Sequence, residues 1–538
     1  MSLSAGSSSR PVVIQAAFGL IVLLAWTAPL FLLHIAPESL IAHDEGLYAS
    51  RGRLMLDTGD FIHPFSEPHH KPPGYYWLLG GIFRLFGYSE TAARIPTGLM
   101  ATLIVWLTFA IGREIMPGRA AALAAAILAI CPFFFFASRL VSPDLYFVSL
   151  SLLSIYALLR ARRTDAGKTA WCFVAGFAIG FISLMRGPAL FLPLLAVLPF
   201  LVSELRRGNL RAAPLAIGFV LGLVPVAVWL YLCWLRLGDA IFMSLYGFSA
   251  ELAVTERSDN GPEFYFWNLA VHAFPWIFFA LCGLVIALRD RSAGERRLLV
   301  AYPAIAFVGL TLFTTRLPHY SLSLYPFIAL LAGLVLARIA GNDRRFSWIG
   351  LVTLAFGIVV LAALPFAQAE FERFVGLQKA PVLAACVTVV GLAIALGGLL
   401  DRFRPSMRLL DLPFIGPLRI WLVGIMAGMW LGFVVAAATG IIGDTSAVLR
   451  RFLASADVSA AIGSQTVDIA VVPTKSMTLL SFMTPHVGRI DIPWQELVSN
   501  GGLAWVATAD LDAIARSGVV LARLDSYGIA LVRWTAPG

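Results

Sequence analysis

Apolar residues fall in long unbroken blocks rather than in the narrow stripe of a soluble amphipathic helix. The blocks run over residues 12–33, 91–111, 120–137, 144–160, 169–185, 188–203, 212–235, 268–288, 298–314, 319–337, 347–366, 381–400 and 418–442. At about 17 to 25 residues each, they match the helix length that crosses roughly 30 Å of hydrocarbon. The pattern predicts an all-α polytopic membrane protein with about thirteen transmembrane helices. Three segments break the rhythm: 34–90, 236–267 and everything after 442. In the last of these, "VDIAVV", "GLAWVATA", "VVLARL" and "YGIALVRW" read as strands, interleaved with the helical "SMTLLSFM" and "DLDAIARSG". A transmembrane domain over 1–442 is thus expected to be followed by a small α/β domain over 443–538.

Composition agrees: 59% of the 538 residues are hydrophobic and only 13% are charged, with a mean hydropathy of +0.83, well above that of a soluble domain. The net charge of +9 does not indicate a nucleic-acid partner, because the basic residues are distributed by side. "GREIMPGR", "RARRTDAGK", "SELRRGNLR", "RDRSAGERR", "RIAGNDRRF" and "DRFRPSMR" occupy every second connection, the cytoplasmic ones by the positive-inside rule. The amino terminus is then cytoplasmic, and segments 34–90, 236–267 and 443–538 are external. "MSLSAGSSSR" leads into the first block without a small-residue cleavage site, which predicts an uncleaved anchor. The five cysteines all lie inside predicted spans, so no disulfide framework or metal knuckle is implied. No strand of the tail is followed by a Gly-rich phosphate loop.

The first external segment carries the densest chemistry. "DEGLYASRGRLML" predicts a short helix with Asp44 as N-cap, Leu47, Leu54 and Met55 as an apolar stripe for the membrane surface, and Asp44, Tyr48 and Arg51 on the other face. "HHKPPGYYWLLGGIFRLFG" opens with helix-breaking prolines and continues with Tyr and Trp, residues favoured at a membrane interface.

In order along the chain come Asp44, Glu45, Tyr48, Gly59, Asp60, Lys71, Pro72, Pro73, Tyr75, Tyr76, Trp77, Phe86, Gly87, Ala92, Ala93, Arg94 and Pro96. This series resembles the first external loop of bacterial lipid-linked sugar transferases of the aminoarabinose transferase type. Those enzymes belong to the protein O-mannosyltransferase superfamily with the integral-membrane GT-C fold. Weaker echoes are "SPDLYF" with Asp144, "MRGPALFLPLL" with Arg186, and "TRLPHYSLSLYPFIALLAG" with Pro318, His319 and Tyr320.

The resemblance implies an inverting glycosyltransferase in a bacterial inner membrane, with its carboxyl-terminal domain in the periplasm. Its donor would be a polyprenyl-phosphate-linked sugar, and its acceptor a lipid A, another envelope glycan or a protein. It implies Asp44 as catalytic carboxylate, with a plain helix cap as the competing reading, and Asp144 as a second acid. Lys71, Tyr320, His319 and Arg257 would bind the donor phosphate. Glu45, Tyr48, Arg51, Tyr75 and Arg94 would support them, Glu45 through Arg51 or a nearby amide. The family often has an acid before the lysine, contributing to a divalent metal site; here His69 and His70 stand there, and Leu47 replaces a common arginine. A metal held by His70 with Glu251, Glu256, Asp259 or Glu263 is therefore set against a metal-free site. A transporter or flippase of lipid-linked sugars is the alternative function. It would favour ionisable residues near the bilayer midplane, whereas these sit at external helix ends.

Overall fold

The computed structural model describes residues 9–35, 39–42, 45–65, 70–254, 260–289, 294–339, 348–375, 379–403, 411–412, 416–440, 446–515 and 517–534. Every predicted apolar block lies on a helix, but the blocks divide differently from the expectation. By length and composition, eight of the described helices can cross a membrane, or nine if Phe264–His272 and Trp276–Arg289, bent by 112°, form one span. The shorter apolar helices Phe18–Phe31, Gly118–Ala129 and Leu298–Leu312 accompany them. The thirteen blocks are therefore not thirteen full-length spans. Pro275 stands at the 112° break, where a proline ring and its missing amide cannot continue the preceding helix. Helices Lys168–Arg186 and Phe191–Arg206 are joined through the short turn Gly187–Leu190.

The spans pack through small residues. Lys168–Arg186 and Ala212–Leu237 meet at Gly176, Gly180, Gly218 and Gly222. A Cβ on Gly176 would lie 2.0 Å from the Leu215 carbonyl oxygen, and one on Gly218 would lie 2.1 Å from that of Phe173. Two Gly-x-x-x-Gly faces bring the backbones together as membrane helices do where no hydrophobic driving force separates lipid from protein. The first helix ends where Arg139 donates to the carbonyls of Leu30, Leu33 and His34, at 3.0, 3.1 and 2.8 Å. A buried guanidinium thus satisfies carbonyls that the helix end leaves open.

Outside the spans, seven strands are described. The short strands β1 (Asp411–Leu412) and β2 (Gly416–Pro417) pair antiparallel. The tail contains β3 (Val467–Ala470), β4 (Val487–Ile492), β5 (Gly502–Ala507), β6 (Val519–Leu524) and β7 (Ile529–Trp534). They form one sheet in the order β4-β3-β5-β7-β6, with β3 parallel to β4 and β5 and the rest antiparallel. The four predicted strands and both predicted helices are present; β4 was not anticipated. "VGRIDI" carries Arg489 and Asp491 among its apolar residues, so its pattern is weak.

One face of this sheet packs Leu497, Leu511 and Ile514 against Ala504, Val506, Ala530 and Val532. The other buries Ile469, Trp505, Ile529 and Leu531 in a core that includes Tyr48, Met55, Tyr75, Tyr76, Leu79 and Phe83 of the first external segment. Helix Glu45–Thr58 is therefore covered by the tail. Met55, assigned by its spacing to the membrane surface, is fully buried in that shared core. At Met55 the stripe faces a protein domain, because amphipathicity reports burial and not what does the burying.

Candidate functional site

Asp144 opens the helix Asp144–Arg163 and is buried, where its carboxylate forms an ion pair with Arg186 at the end of Lys168–Arg186. The Ser142 hydroxyl donates to the same carboxylate and accepts from the Asp144 amide at 3.1 Å. Lys71 and His319 are near enough for their charges to act on Asp144. Arg186 lies over the Tyr320 ring, 5.8 Å from its centroid, and Tyr320 stands edge-on to His319 at 4.6 Å. Lys71 donates to the Tyr48 hydroxyl at 3.1 Å and sits 4.5 Å from the centre of that ring. Five residues named from the sequence, Tyr48, Lys71, Asp144, His319 and Tyr320, thus come together. Arg186, noted only as part of a turn, completes the group.

Local sequence explains the convergence. Pro72 and Pro73 follow Lys71, and Gly74 starts the next helix against the end of helix Lys168–Arg186. A Cβ on Gly74 would lie 2.6 Å from the Leu184 carbonyl oxygen, so only glycine lets the start of this helix pack so closely against the end of Lys168–Arg186. Gly187, at φ +57°, turns the chain away just after Arg186 and faces Pro72. His319 and Tyr320 ride on the short helix Pro318–Leu324, which leads into Tyr325–Ile339.

Glu45 is fully buried and does not act through Arg51. Its carboxylate takes two bonds from Arg94, at 2.8 and 2.6 Å, and accepts from the amides of Ile41 and Val141, both at 2.9 Å. Charge and hydrogen-bonding capacity are both met, so Glu45 and Arg94 clamp the loop before the helix to the loop before Asp144. Arg51 instead lies over the Phe65 ring at 4.5 Å. Tyr75 shares a hydrogen bond with Thr97 at 3.2 Å and packs between Tyr48 and Tyr146. Burial keeps the Tyr75 and Tyr76 phenols well above their usual range, so both stay neutral.

Sequence reasoning also missed Arg53. It donates to the carbonyls of Phe482, Thr484 and Pro485 at 2.8, 2.7 and 2.7 Å, latching the Tyr48 helix to the tail. The "SRGRL" context gives no sign of it, since the partners are carbonyls more than four hundred residues away.

Asp44 and Arg257 lie outside the described residues, as do Glu256 and Asp259. Among the described residues, no group of three or more His, Cys, Asp or Glu side chains is placed to hold a metal ion. His70 is partly buried and belongs to no such group.

Chemically, one carboxylate faces two permanent cations with phenol and imidazole groups beside them. The cluster carries spare positive charge and hydrogen-bond donors in the geometry that suits a phosphate.

Residues 70–232 match the family model for dolichyl-phosphate-mannose-protein mannosyltransferase, a stretch that contains Lys71, Asp144 and Arg186. The chain is 24% identical over 442 residues to the undecaprenyl phosphate-alpha-4-amino-4-deoxy-L-arabinose arabinosyl transferase of Enterobacter sp. (strain 638), covering 76% of each. It is 26% identical over 399 residues to the enzyme of that name from Pseudomonas aeruginosa (strain LESB58), covering 72% of this chain and 71% of that one. Its fold matches the crystal structure of ArnT from Cupriavidus metallidurans bound to undecaprenyl phosphate. The TM-score is 0.74 at 19% identity, over 99% of this chain and 100% of that chain.

Proposed function

We propose that this chain, a GT-C membrane protein of the aminoarabinose transferase and protein O-mannosyltransferase superfamily, transfers a sugar from a polyprenyl-phosphate carrier to an envelope acceptor. The observation that carries this reading is the meeting of Lys71, Arg186, Tyr48, His319 and Tyr320 around Asp144. By the basic helix ends at Arg113, Arg160–Arg163 and Arg206, this cluster lies at the opposite, external ends of the same spans. A polyprenyl phosphate presents its headgroup at that level and leaves its tail in lipid. The amino terminus is then cytoplasmic and the tail domain periplasmic, in a bacterial inner membrane.

In the proposed reaction an acceptor oxygen attacks the anomeric carbon and the bond from that carbon to the carrier phosphate breaks. The bonding pair leaves on the phosphate oxygen. Lys71 and Arg186 offset the charge that develops there, with Tyr320, His319 and the Tyr48 hydroxyl as neighbouring donors. Asp144 is already neutralised by Arg186 and makes a poor base, so its part is to hold that guanidinium in place. Asp44 is assigned the carboxylate that orients or deprotonates the acceptor. This assignment is supported by the resemblance and by its position one residue before the clamped Glu45. Attack from the face opposite the phosphate inverts the anomeric centre. Lipid A, another envelope glycan or a protein is the acceptor class. No step is routed through a metal.

The transporter alternative has no observation in its favour, since the matched relatives are transferases. Asp44→Asn tests the assignment in membranes supplied with lipid-linked donor. Unchanged expression and detergent stability with transfer abolished is the expected result, and near-normal transfer by Asp44→Asn would remove Asp44 from the mechanism.

A further inference from the structure

At the helix ends opposite the Lys71 and Arg186 cluster, three neighbouring helices repeat one arrangement. Arg160 stands near the end of the helix that Asp144 opens, roughly 24 Å along its axis. On Glu90–Ile115, Trp106 and Arg113 share a face two turns apart. On Asp144–Arg163, Tyr156, Arg160 and Arg163 share one at i, i+4 and i+7, and on Lys168–Arg186, Lys168 and Trp171 share one at i and i+3. Each time the cation is at the helix end and the ring one or two turns deeper.

The rings also join across the helices. Trp106 meets Tyr156 at 5.8 Å between centroids and Tyr156 meets Trp171 at 5.8 Å, both edge to face. The Arg160 guanidinium lies over the Trp171 ring, 5.9 Å from its centroid. Trp106 is exposed although large and apolar, which on a spanning helix means contact with lipid. The rings therefore form a ladder that opens on lipid and ends under a cation.

Charge above the ladder is not balanced. Buried Glu114 takes Arg160 at 3.3 Å and Arg163 at 3.1 Å, one carboxylate for two guanidinium groups that both stay partly exposed. Lys168 pairs with Asp165 at 2.8 Å. Arg113 is exposed and makes no side-chain hydrogen bond or ion pair with another described residue. Four cations thus stand over two acids, at the level of a lipid headgroup. Snorkelling accounts for a single arginine at a helix end, but not for a continuous ladder of rings beneath a group of them.

We propose that this face binds one anionic phospholipid. Its phosphodiester meets Arg113, Arg160, Arg163 and Lys168, and its glycerol and first acyl carbons lie against Trp106, Tyr156 and Trp171. Phosphatidylglycerol and cardiolipin share that chemistry. The lipid bridges three helix ends, two of them on the helices that carry Asp144 and Arg186 at their other ends. No residue of that cluster touches it, so the proposal stands or falls apart from the transferase reading.

The full chain in detergent is tested by native mass spectrometry against phosphatidylglycerol, cardiolipin and phosphatidylcholine with the same acyl chains. One phosphatidylglycerol or one cardiolipin is expected to stay bound, about tenfold or more tighter than phosphatidylcholine, and the tighter of the two identifies the source of the phosphodiester. Arg113→Gln combined with Lys168→Gln weakens that binding about 25-fold, about fivefold for each charge removed near a headgroup. Trp171→Leu weakens it severalfold with the charges intact. Arg84→Gln, exposed on the side of the Lys71 and Arg186 cluster, leaves it unchanged. All variants keep the lipid-free melting temperature of the unsubstituted chain, which reports that they fold, and added phosphatidylglycerol raises that temperature in the unsubstituted chain but not in the double variant. Phosphatidylcholine retained as tightly as the anionic lipids, an equal loss in Arg84→Gln, or binding untouched in the double variant would each overturn the proposal.

Discussion

At the scale of single residues, the site depends on how two cations share one acid. Arg186 is fixed by Asp144 and Lys71 by the Tyr48 hydroxyl, so in the proposed reaction each would meet the donor phosphate from a defined direction. Losing a charge-assisted phosphate contact costs about 1.5–3 kcal/mol, roughly ten- to a hundredfold in affinity. Arg186→Ala is therefore expected to raise the KM for the lipid-linked donor by that factor while the KM for acceptor stays put. Arg186→Lys should recover only part, since it keeps the charge without the planar fork; equal shifts in both KM values would place Arg186 outside the donor site. Glu45 calls for a different readout. Removing one partner of a buried, hydrogen-bonded pair costs about 3–5 kcal/mol, so Glu45→Gln should lower the detergent melting temperature markedly. A Glu45→Gln protein with unchanged melting and no activity would make Glu45 a reactive group instead of a clamp. Arg51 or a nearby amide was expected for Glu45; the amides of Ile41 and Val141 are there, but the cation is Arg94, on another helix and out of reach of reasoning along the sequence.

At the scale of elements, the position of Arg186 is set by how the helix that carries it packs. The Gly176–Gly180 and Gly218–Gly222 faces put two backbones in direct contact, and any side chain there forces the helices apart. Gly180→Leu is expected to reduce the yield of folded protein and to raise the donor KM in whatever folds, because Arg186 moves with its helix. The same change at Gly81, whose Cβ meets nothing within 4 Å, should do neither. Helix Glu45–Thr58 is held in a comparable way by the three carbonyls on Arg53. Most elements were legible beforehand: the apolar blocks fell on helices, and four of the five tail strands showed their alternation. What escaped had a physical reason. The β4 strand is half polar, and the breaks inside blocks 120–137 and 268–288 leave hydropathy unchanged while turning the chain. The lysine-proline-proline segment stood out in the sequence as a candidate phosphate ligand, but its contact with Leu184 and Gly187 did not, since it depends on packing between distant spans.

At the scale of the whole molecule, the tail is not an appendage. Its sheet and the first external segment share one hydrophobic core, which puts both on the same side of the membrane. In the proposed orientation that side is outside, because arginines close the opposite helix ends at Arg113, Arg163, Arg206 and Arg402, and such residues resist translocation. The orientation can be read directly by thiol labelling in a chain whose five native cysteines are replaced. Ser464→Cys is exposed on the tail domain, and Asp165→Cys sits in the connection after Asp144–Arg163, where Asp165 is 97% exposed. A maleimide that cannot cross the inner membrane, once admitted to the periplasm, should label the first in intact cells and the second only after lysis. Labelling in the reverse order would turn the molecule over. The Lys71 and Arg186 cluster would then open on the cytoplasm, and the proposed transfer at the periplasmic face would fall with it.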